Sequence, residues 1–148
     1  HNGIISERAF ETTRVLGIES SKSSITDANR NAVINGFVNA RYVHGKSEDM
    51  LPKLMGAGEL KDESLRVKSA DVVILDPPRA GCREDLLQTV VDAKPEKIVY
   101  VSCDPATMAR DIKFLSKKGY GFIEATPVEM FSWTGHVECV VLMSRVKD

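Results

Sequence analysis

The chain is poor in cysteine and in aromatic residues, and it has almost no net charge. Three cysteines in 148 residues cannot form a closed set of disulfides. They also lack the C-x-x-C spacing of zinc and iron–sulfur sites, so we expect no metal in this chain. A net charge of −1 excludes a chain that binds nucleic acid by overall charge alone. We expect a cytoplasmic location, because there is neither a signal peptide nor an apolar run near the ~18 residues that span a membrane.

Apolar runs alternate with helical patterns along the chain, which predicts an α/β fold with a doubly wound, mostly parallel sheet. The predicted strands cover residues 14–19, 40–45, 71–76 and 97–103, and the last two of these runs are expected to be buried. The predicted helices cover residues 21–35, 48–55, 85–93 and 105–118. Strands at 121–125 and 137–145 have no helix between them, which predicts an antiparallel pair at one sheet edge.

The start of the chain differs from the usual start of such a fold. A doubly wound sheet begins with a strand and a glycine-rich turn, whereas residues 6–13 here have a helical pattern directly after a short opening segment. We therefore expect residues 1–148 to form one domain that is truncated at its N-terminus, with its first strand and glycine loop missing.

Three polar residues end predicted strands: Glu19, Asp76 and Cys103. Parallel α/β sheets bind ligands at the carboxyl ends of their strands, so this placement indicates a ligand site. Glu19 is suited to accept hydrogen bonds from ribose hydroxyls, although a carboxylate there is also compatible with a helix cap. Asp76 precedes two prolines, which stiffen the turn and favour a functional loop over a simple strand end.

Cys103 lies where a buried strand meets a helix that Asp104 caps and Pro105 begins. The partial positive charge of a helix N-terminus favours a thiolate, while the adjacent Asp104 opposes it. The alternative role is a small core residue, but the position at a strand end favours a reactive cysteine. Glu138 stands at the head of an apolar strand, where desolvation makes a carboxylate a better proton acceptor; a structural ion pair is the alternative.

Four segments together resemble the RNA uracil-5-methyltransferases, which form 5-methyluridine in transfer and ribosomal RNA. The segments are GIE, DPPRAGC, VSCDPATMARD and HVECVVL, which contain Glu19, Asp76, Cys103 and Glu138 in that order. Since the set is specific and spans nearly the whole chain, the sequence is similar to the C-terminal catalytic domain of that family.

This resemblance implies a Rossmann-like methyltransferase fold with an antiparallel final pair, and S-adenosyl-L-methionine as the cofactor. It implies that Cys103 is the nucleophile and Glu138 the general base, with Glu19 and Asp76 in the cofactor and base pocket. The implied partner is RNA, either rRNA or tRNA. In many members an RNA-binding β-barrel and iron–sulfur cysteines precede this region.

Two other functions stay open at this point. The first is an RNA cytosine-5 methyltransferase, which uses the same covalent chemistry but commonly has a cysteine where Pro77 and Pro78 stand here. The second is a truncated module that folds without binding a cofactor. Neither the oligomeric state nor the modified uridine follows from the sequence.

Overall fold

The computed structural model describes residues 14–129 and 138–146. The predicted N-terminal helix at residues 6–13 and the His136–Val137 pair lie outside these ranges. The chain divides into two compact units, the first ending at Arg66 and the second beginning at Val67. Each unit has its own sheet, of two and four strands respectively, among the described residues.

The first unit is a β-α-β crossover. Strands β1 and β2 pair in parallel, with registers from Val15↔Ala40 to Glu19↔His44, as expected when a helix connects two neighbouring strands. The predicted elements of this part are confirmed to within one or two residues. They are β1 (Val15–Glu19), α1 (Lys22–Ile34), β2 (Ala40–His44) and α2 (Ser47–Leu54), and a short 3₁₀ turn that was not predicted follows at Glu63–Leu65.

Helix α1 begins and ends with local hydrogen bonds that the sequence encodes. The Ser21 hydroxyl accepts the backbone N–H of Ser24, a typical N-cap. At the other end Gly36 has a φ of +71°, and the amide of Phe37 donates to the carbonyl of Ala32 at 2.8 Å. This is a Schellman motif, which requires the left-handed conformation that glycine adopts without strain.

The second unit has the strand order β3-β4-β6-β5. Strands β3 and β4 are parallel, whereas β6 is antiparallel to β4 and to β5. The predicted antiparallel pair is thus confirmed, and the last strand of the chain lies inside the sheet with β5 at its edge. The elements are β3 (Val72–Leu75), α3 (Glu84–Asp92), β4 (Lys97–Ser102), α4 (Pro105–Lys117), β5 (Tyr120–Val128) and β6 (Glu138–Arg145).

The core of this unit lies on one face of β4 and β6. Ile98 and Tyr100 are fully buried and pair with Met143 and Val141, which are also buried. Alternation along a strand places every second residue on the same face, so Ser102, which is 5% exposed, continues this buried row. Apolar side chains of helices α3 and α4 complete the core: Leu86, Leu87, Val90 and Leu115.

Strand β3 differs from its prediction as a fully buried strand. Leu75 is buried, but Val72 and Ile74 on the alternate face are 51% and 62% exposed. Among residues 14–129 and 138–146, β3 stands at one end of the four-stranded sheet and pairs with β4 alone, and the face that carries Val72 and Ile74 is left largely uncovered. The prediction of burial therefore holds for one face of this strand.

Candidate active site

Cys103 lies in a short, hydrogen-bonded turn between β4 and α4. The Asp104 carboxylate accepts the backbone N–H groups of Ala106 and Thr107, each at 3.0 Å. The hydroxyl of Ser102 accepts the amide of Asp104 at 3.0 Å. These bonds fix the two neighbours of Cys103, Ser102 and Asp104, while the side chain of Cys103 stays partly accessible. The predicted cap at Asp104 is confirmed. Hydrogen bonds lower the pKa of Asp104, and the largest contribution comes from the backbone amide of Thr107.

Glu138 begins β6 and is partly buried. The ladder between β4 and β6 ends with the pair Ser102↔Cys139. In an antiparallel register the next opposed positions are Cys103 and Glu138, just past that last pair. The fold therefore brings the predicted nucleophile and the predicted base to adjacent positions at the same end of the sheet.

Asp76 follows β3 at this same end. Because Leu75 of β3 pairs with Tyr100 of β4 in parallel, both strands direct their carboxyl ends to one edge. Asp76 is exposed and is therefore not part of the core of this unit. Residues 76–82, which we name the DPP loop, then turn back through a bond from the amide of Gly81 to the carbonyl of Pro78 at 2.8 Å.

Glu19 ends β1 in the first unit and is exposed. Its Oε1 accepts the amide of Ser21 at 2.6 Å and the hydroxyl of Ser20 at 3.2 Å. One carboxylate oxygen of Glu19 thus binds the residues of the turn that leads into α1, which is the capping role considered above. The sequence placed this residue correctly at a strand end, and it has both a local structural contact and an exposed carboxylate.

One polar residue of the second unit was missed by the sequence analysis. Asp111 is 1% exposed in the middle of α4, one helical turn before the buried Leu115. Its carboxylate accepts the Tyr100 hydroxyl at 2.5 Å and the Cys82 amide at 2.7 Å. An acidic residue at an inward position of a helix was the available indication, since aspartate is rarely buried without partners.

Three further features of this part of the chain concern metal ions, disulfides and membrane-spanning helices. Among residues 14–129 and 138–146, no cluster of three or more His, Cys, Asp or Glu side chains has the arrangement of a metal site. None of the three cysteines is in a disulfide; Cys82 is buried, and Cys139 is intermediate. Within the same described ranges no helix is both long and apolar enough to cross a membrane.

Comparison with known proteins agrees with the arrangement of these motifs. The model of a protein family described as tRNA (uracil-5-)-methyltransferase matches residues 5–146. The chain belongs to this family. The resemblance seen in the four sequence motifs is thereby confirmed at the level of the family.

Curated relatives of this family member are similar over most of the chain. An uncharacterized RNA methyltransferase of Bacillus cereus (strain ATCC 10987 / NRS 248) is 47% identical over 139 residues, which are 94% of this chain and 28% of that protein. Another from Caldanaerobacter subterraneus subsp. tengcongensis is 45% identical over 138 residues, 93% of this chain and 28% of that protein. The chain thus spans less than a third of these relatives' length.

Solved structures confirm the Rossmann-like methyltransferase fold of this family member. The Pyrococcus abyssi tRNA (uracil-54, C5)-methyltransferase, crystallised with S-adenosyl-L-homocysteine, is 36% identical with a TM-score of 0.71; the match covers 91% of this chain and 30% of that one. A precorrin-6y C5,15-methyltransferase of Geobacter metallireducens has a TM-score of 0.67 at 14% identity, covering 91% of this chain and 69% of that one. The second likeness concerns the fold alone.

Proposed function

We propose that this chain is the catalytic part of an enzyme that methylates carbon 5 of a uridine in rRNA or tRNA, with S-adenosyl-L-methionine as methyl donor. The observation that carries the proposal is the last pair of the β4–β6 ladder, Ser102↔Cys139, which puts Cys103 and Glu138 one position beyond it, where β4 ends and β6 begins. A nucleophile and a base next to one another match a reaction in which a base ring is first activated and then deprotonated.

One exposed carboxylate in each unit supports the cofactor part of this proposal. Glu19 is exposed at the end of β1, and its second carboxylate oxygen is suited to accept ribose hydroxyls while Oε1 keeps the Ser21 amide. Asp76 is exposed at the end of β3, where we propose that it faces the cofactor and the target base. The related Pyrococcus abyssi enzyme was crystallised with S-adenosyl-L-homocysteine, which supports this cofactor class.

The reaction begins with Cys103. Carbon 5 of uracil is a weak nucleophile, but addition of the Cys103 thiolate to carbon 6 gives an enolate in which carbon 5 is electron-rich. The bound cofactor supplies an electrophilic methyl group on a sulfonium. Carbon 5, made electron-rich by the addition of Cys103, would take that methyl group, and the electron pair of the broken carbon–sulfur bond would stay on the cofactor's sulfur.

Glu138 completes the reaction. After the methyl transfer, carbon 5 carries both the methyl group and its original hydrogen. The Glu138 carboxylate takes that proton, the electron pair restores the double bond between carbons 5 and 6, and the Cys103 thiolate leaves. The target uridine must be turned out of a stacked RNA for its ring to reach these two groups.

The decisive experiment is Glu138→Gln in the full-length protein that carries this chain. Glutamine keeps the size of the side chain but cannot accept the proton, and loss of a general base costs about 10²–10⁴-fold in rate. We expect a protein–RNA conjugate that survives a denaturing gel and contains the transferred methyl group. Glu124→Gln, at an exposed position of β5, is the matched control and should release methylated RNA normally.

Two outcomes would contradict the assignment of Glu138. Normal release of methylated RNA without a conjugate would show that another group is the base, and a conjugate without the methyl would place Glu138 earlier in the reaction. Cys103→Ala tests the nucleophile by the same assay and should give neither product nor conjugate. Cys139→Ala is its cysteine control, and equal loss in both variants would point to folding instead of chemistry.

A further inference from the structure

We propose that Arg110 and Asp111 are positioning residues that hold the DPP loop against helix α4, so that this loop and the Cys103 turn form one rigid unit. This inference rests on the proposed function, because it concerns how Asp76 and Cys103 keep their relative geometry. It is carried by hydrogen bonds, burial and a close backbone approach within the second unit.

The first observation is the pairing of Asp111. Its Oδ2 accepts the backbone N–H of Cys82 at 2.7 Å and the Tyr100 hydroxyl at 2.5 Å, and its Oδ1 accepts Nε of Arg110 at 2.8 Å. A carboxylate that is 1% exposed needs such donors, since an unpaired buried charge is costly. The carboxylate therefore ties together the loop, strand β4 and its own helix.

Arg110 holds the same loop through its carbonyl groups. Its Nη2 donates to the carbonyl oxygen of Ala80 at 3.0 Å and to that of Cys82 at 3.1 Å. The guanidinium is planar and presents its donors in a fixed fork, so one side chain can grip the loop and the carboxylate of Asp111 together. Thr107 adds a bond from its hydroxyl to the carbonyl of Arg79 at 2.9 Å.

Gly81 shows how closely the loop approaches the helix. A Cβ at this position would lie 2.6 Å from Nη2 of Arg110 and 2.7 Å from Oδ2 of Asp111. Its φ is +75°, which other residues rarely adopt. The loop backbone at Gly81 thus lies in close contact with Arg110 and Asp111, and a side chain at this position would have to displace one of these two groups.

These contacts are made to the loop's backbone, which suggests orientation as their purpose. Replacing a buried ion pair by apolar residues is often neutral or stabilising, so a packed apolar helix face would serve stability equally well. Hydrogen bonds to the backbone at residues 79, 80 and 82 instead define the path of the loop that Asp76 begins. Since α4 starts at Pro105, the helix that holds this loop is also the one that follows Cys103.

The consequence for catalysis is a specific kinetic pattern. Misplacing reacting groups by about 1 Å can cost about 10²-fold in rate, whereas RNA affinity depends largely on phosphate contacts. Loosening the loop should therefore lower kcat about 10- to 100-fold while KM for the RNA changes by less than about threefold. A residue with a structural role alone would alter the folded fraction and leave kcat per folded molecule unchanged.

The test uses Arg110→Gln in the full-length protein, because Arg110 is partly exposed and its replacement leaves the core intact. Hydrogen–deuterium exchange should become at least about tenfold faster in the peptide of residues 79–83, while peptides of β5 and β6 stay unchanged. Lys113→Gln on the same helix, which removes one positive charge at an exposed position, is the control. Arg110→Lys should fail to restore kcat, because a lysine cannot reproduce the fork.

Asp111→Asn provides the second variant, since it keeps the shape of the side chain and removes its charge. Unchanged exchange at residues 79–83 in both variants would overturn the inference, and so would faster exchange with an unchanged kcat. Full rescue by Arg110→Lys would also overturn it, since charge alone would then suffice. The exchange measurement needs no methyl transfer, so a wild-type protein that forms no 5-methyluridine would refute the proposed function separately.

Discussion

Two strand-end turns in this chain are held in different ways. The turn after β1 has a local side-chain bond, since Glu19 accepts the amide of Ser21 two positions away, and one contact from the next strand, between His44 Nε2 and the Ser20 carbonyl at 3.0 Å. The DPP loop after β3 is held by residues 28 to 30 positions later in the chain, through Thr107, Arg110 and Asp111. The bond from the Ser21 amide to Glu19 needs only residues of the turn itself, whereas the side-chain bonds to the DPP loop need helix α4 in place. We therefore expect substitutions in the second turn to have larger effects.

Gly81→Ala should have the largest effect on stability. The left-handed φ costs an alanine about 1–2 kcal/mol, and the contacts with Arg110 and Asp111 add an overpacking cost of similar size. The total expected loss is about 3 kcal/mol in the free energy of unfolding, measured by chemical denaturation. Gly36→Ala is the matched control, because Gly36 has a φ of +71° but no atom within 4 Å of the added Cβ. Equal losses would show that the close approach contributes nothing.

Tyr100→Phe should have the next largest effect on stability. The lost hydroxyl donates to a buried carboxylate, and hydrogen bonds to charged groups contribute about 1.5–3 kcal/mol. Burial, followed by the bond to Asp111, raises the pKa of Tyr100, so this hydroxyl stays protonated. Tyr120→Phe is a suitable comparison, because the Tyr120 hydroxyl donates to the neutral carbonyl of Pro95 at 3.0 Å and its loss should cost about 1 kcal/mol. A smaller loss for Tyr100→Phe would contradict the special role of Asp111.

The cap at Asp104 should make the stability of the fold depend on pH. Its pKa in the folded protein lies below the ordinary value of 3.8, chiefly because of the Thr107 amide. A lowered pKa means that the cap contributes fully above the unfolded value and is lost as the pH falls through the folded one. Asp104→Asn keeps a capping side chain that does not titrate. Thermal melts should therefore show a steeper loss of stability for the wild type than for Asp104→Asn as the pH falls from the unfolded pKa through the folded one, and parallel curves would argue against this assignment.

Glu19→Gln should have the smallest effect on folding. The amide oxygen of glutamine can still accept the Ser21 N–H, so the free energy of unfolding should change by no more than about 0.5 kcal/mol. If Glu19 binds ribose hydroxyls as proposed, calorimetry with S-adenosylhomocysteine on the full-length protein should show weaker binding by about tenfold, since a charged acceptor is lost. Unchanged affinity would leave Glu19 with its local role alone.

The sequence by itself determined the order and type of the elements and the positions of the candidate site residues. Alternating patterns, the cap at Asp104 and the Schellman glycine at Gly36 are local features, which depend on residues close together in the chain. The four motifs also sufficed to indicate the family, which the comparison with known proteins confirmed. The catalytic roles of Cys103 and Glu138 and the ligand contacts of Glu19 and Asp76 stay predictions.

Only the tertiary structure decided how these local pieces meet. The register of β6 against β4 brings Glu138 next to Cys103, and no local pattern specifies which strands become neighbours. The exposure of Val72 and Ile74 depended on which face of β3 the rest of the fold covers. Asp111 was overlooked because its donors, Tyr100 and the Cys82 amide, lie 11 and 29 positions away. A buried carboxylate is stabilised by hydrogen-bond donors that only the folded chain brings together.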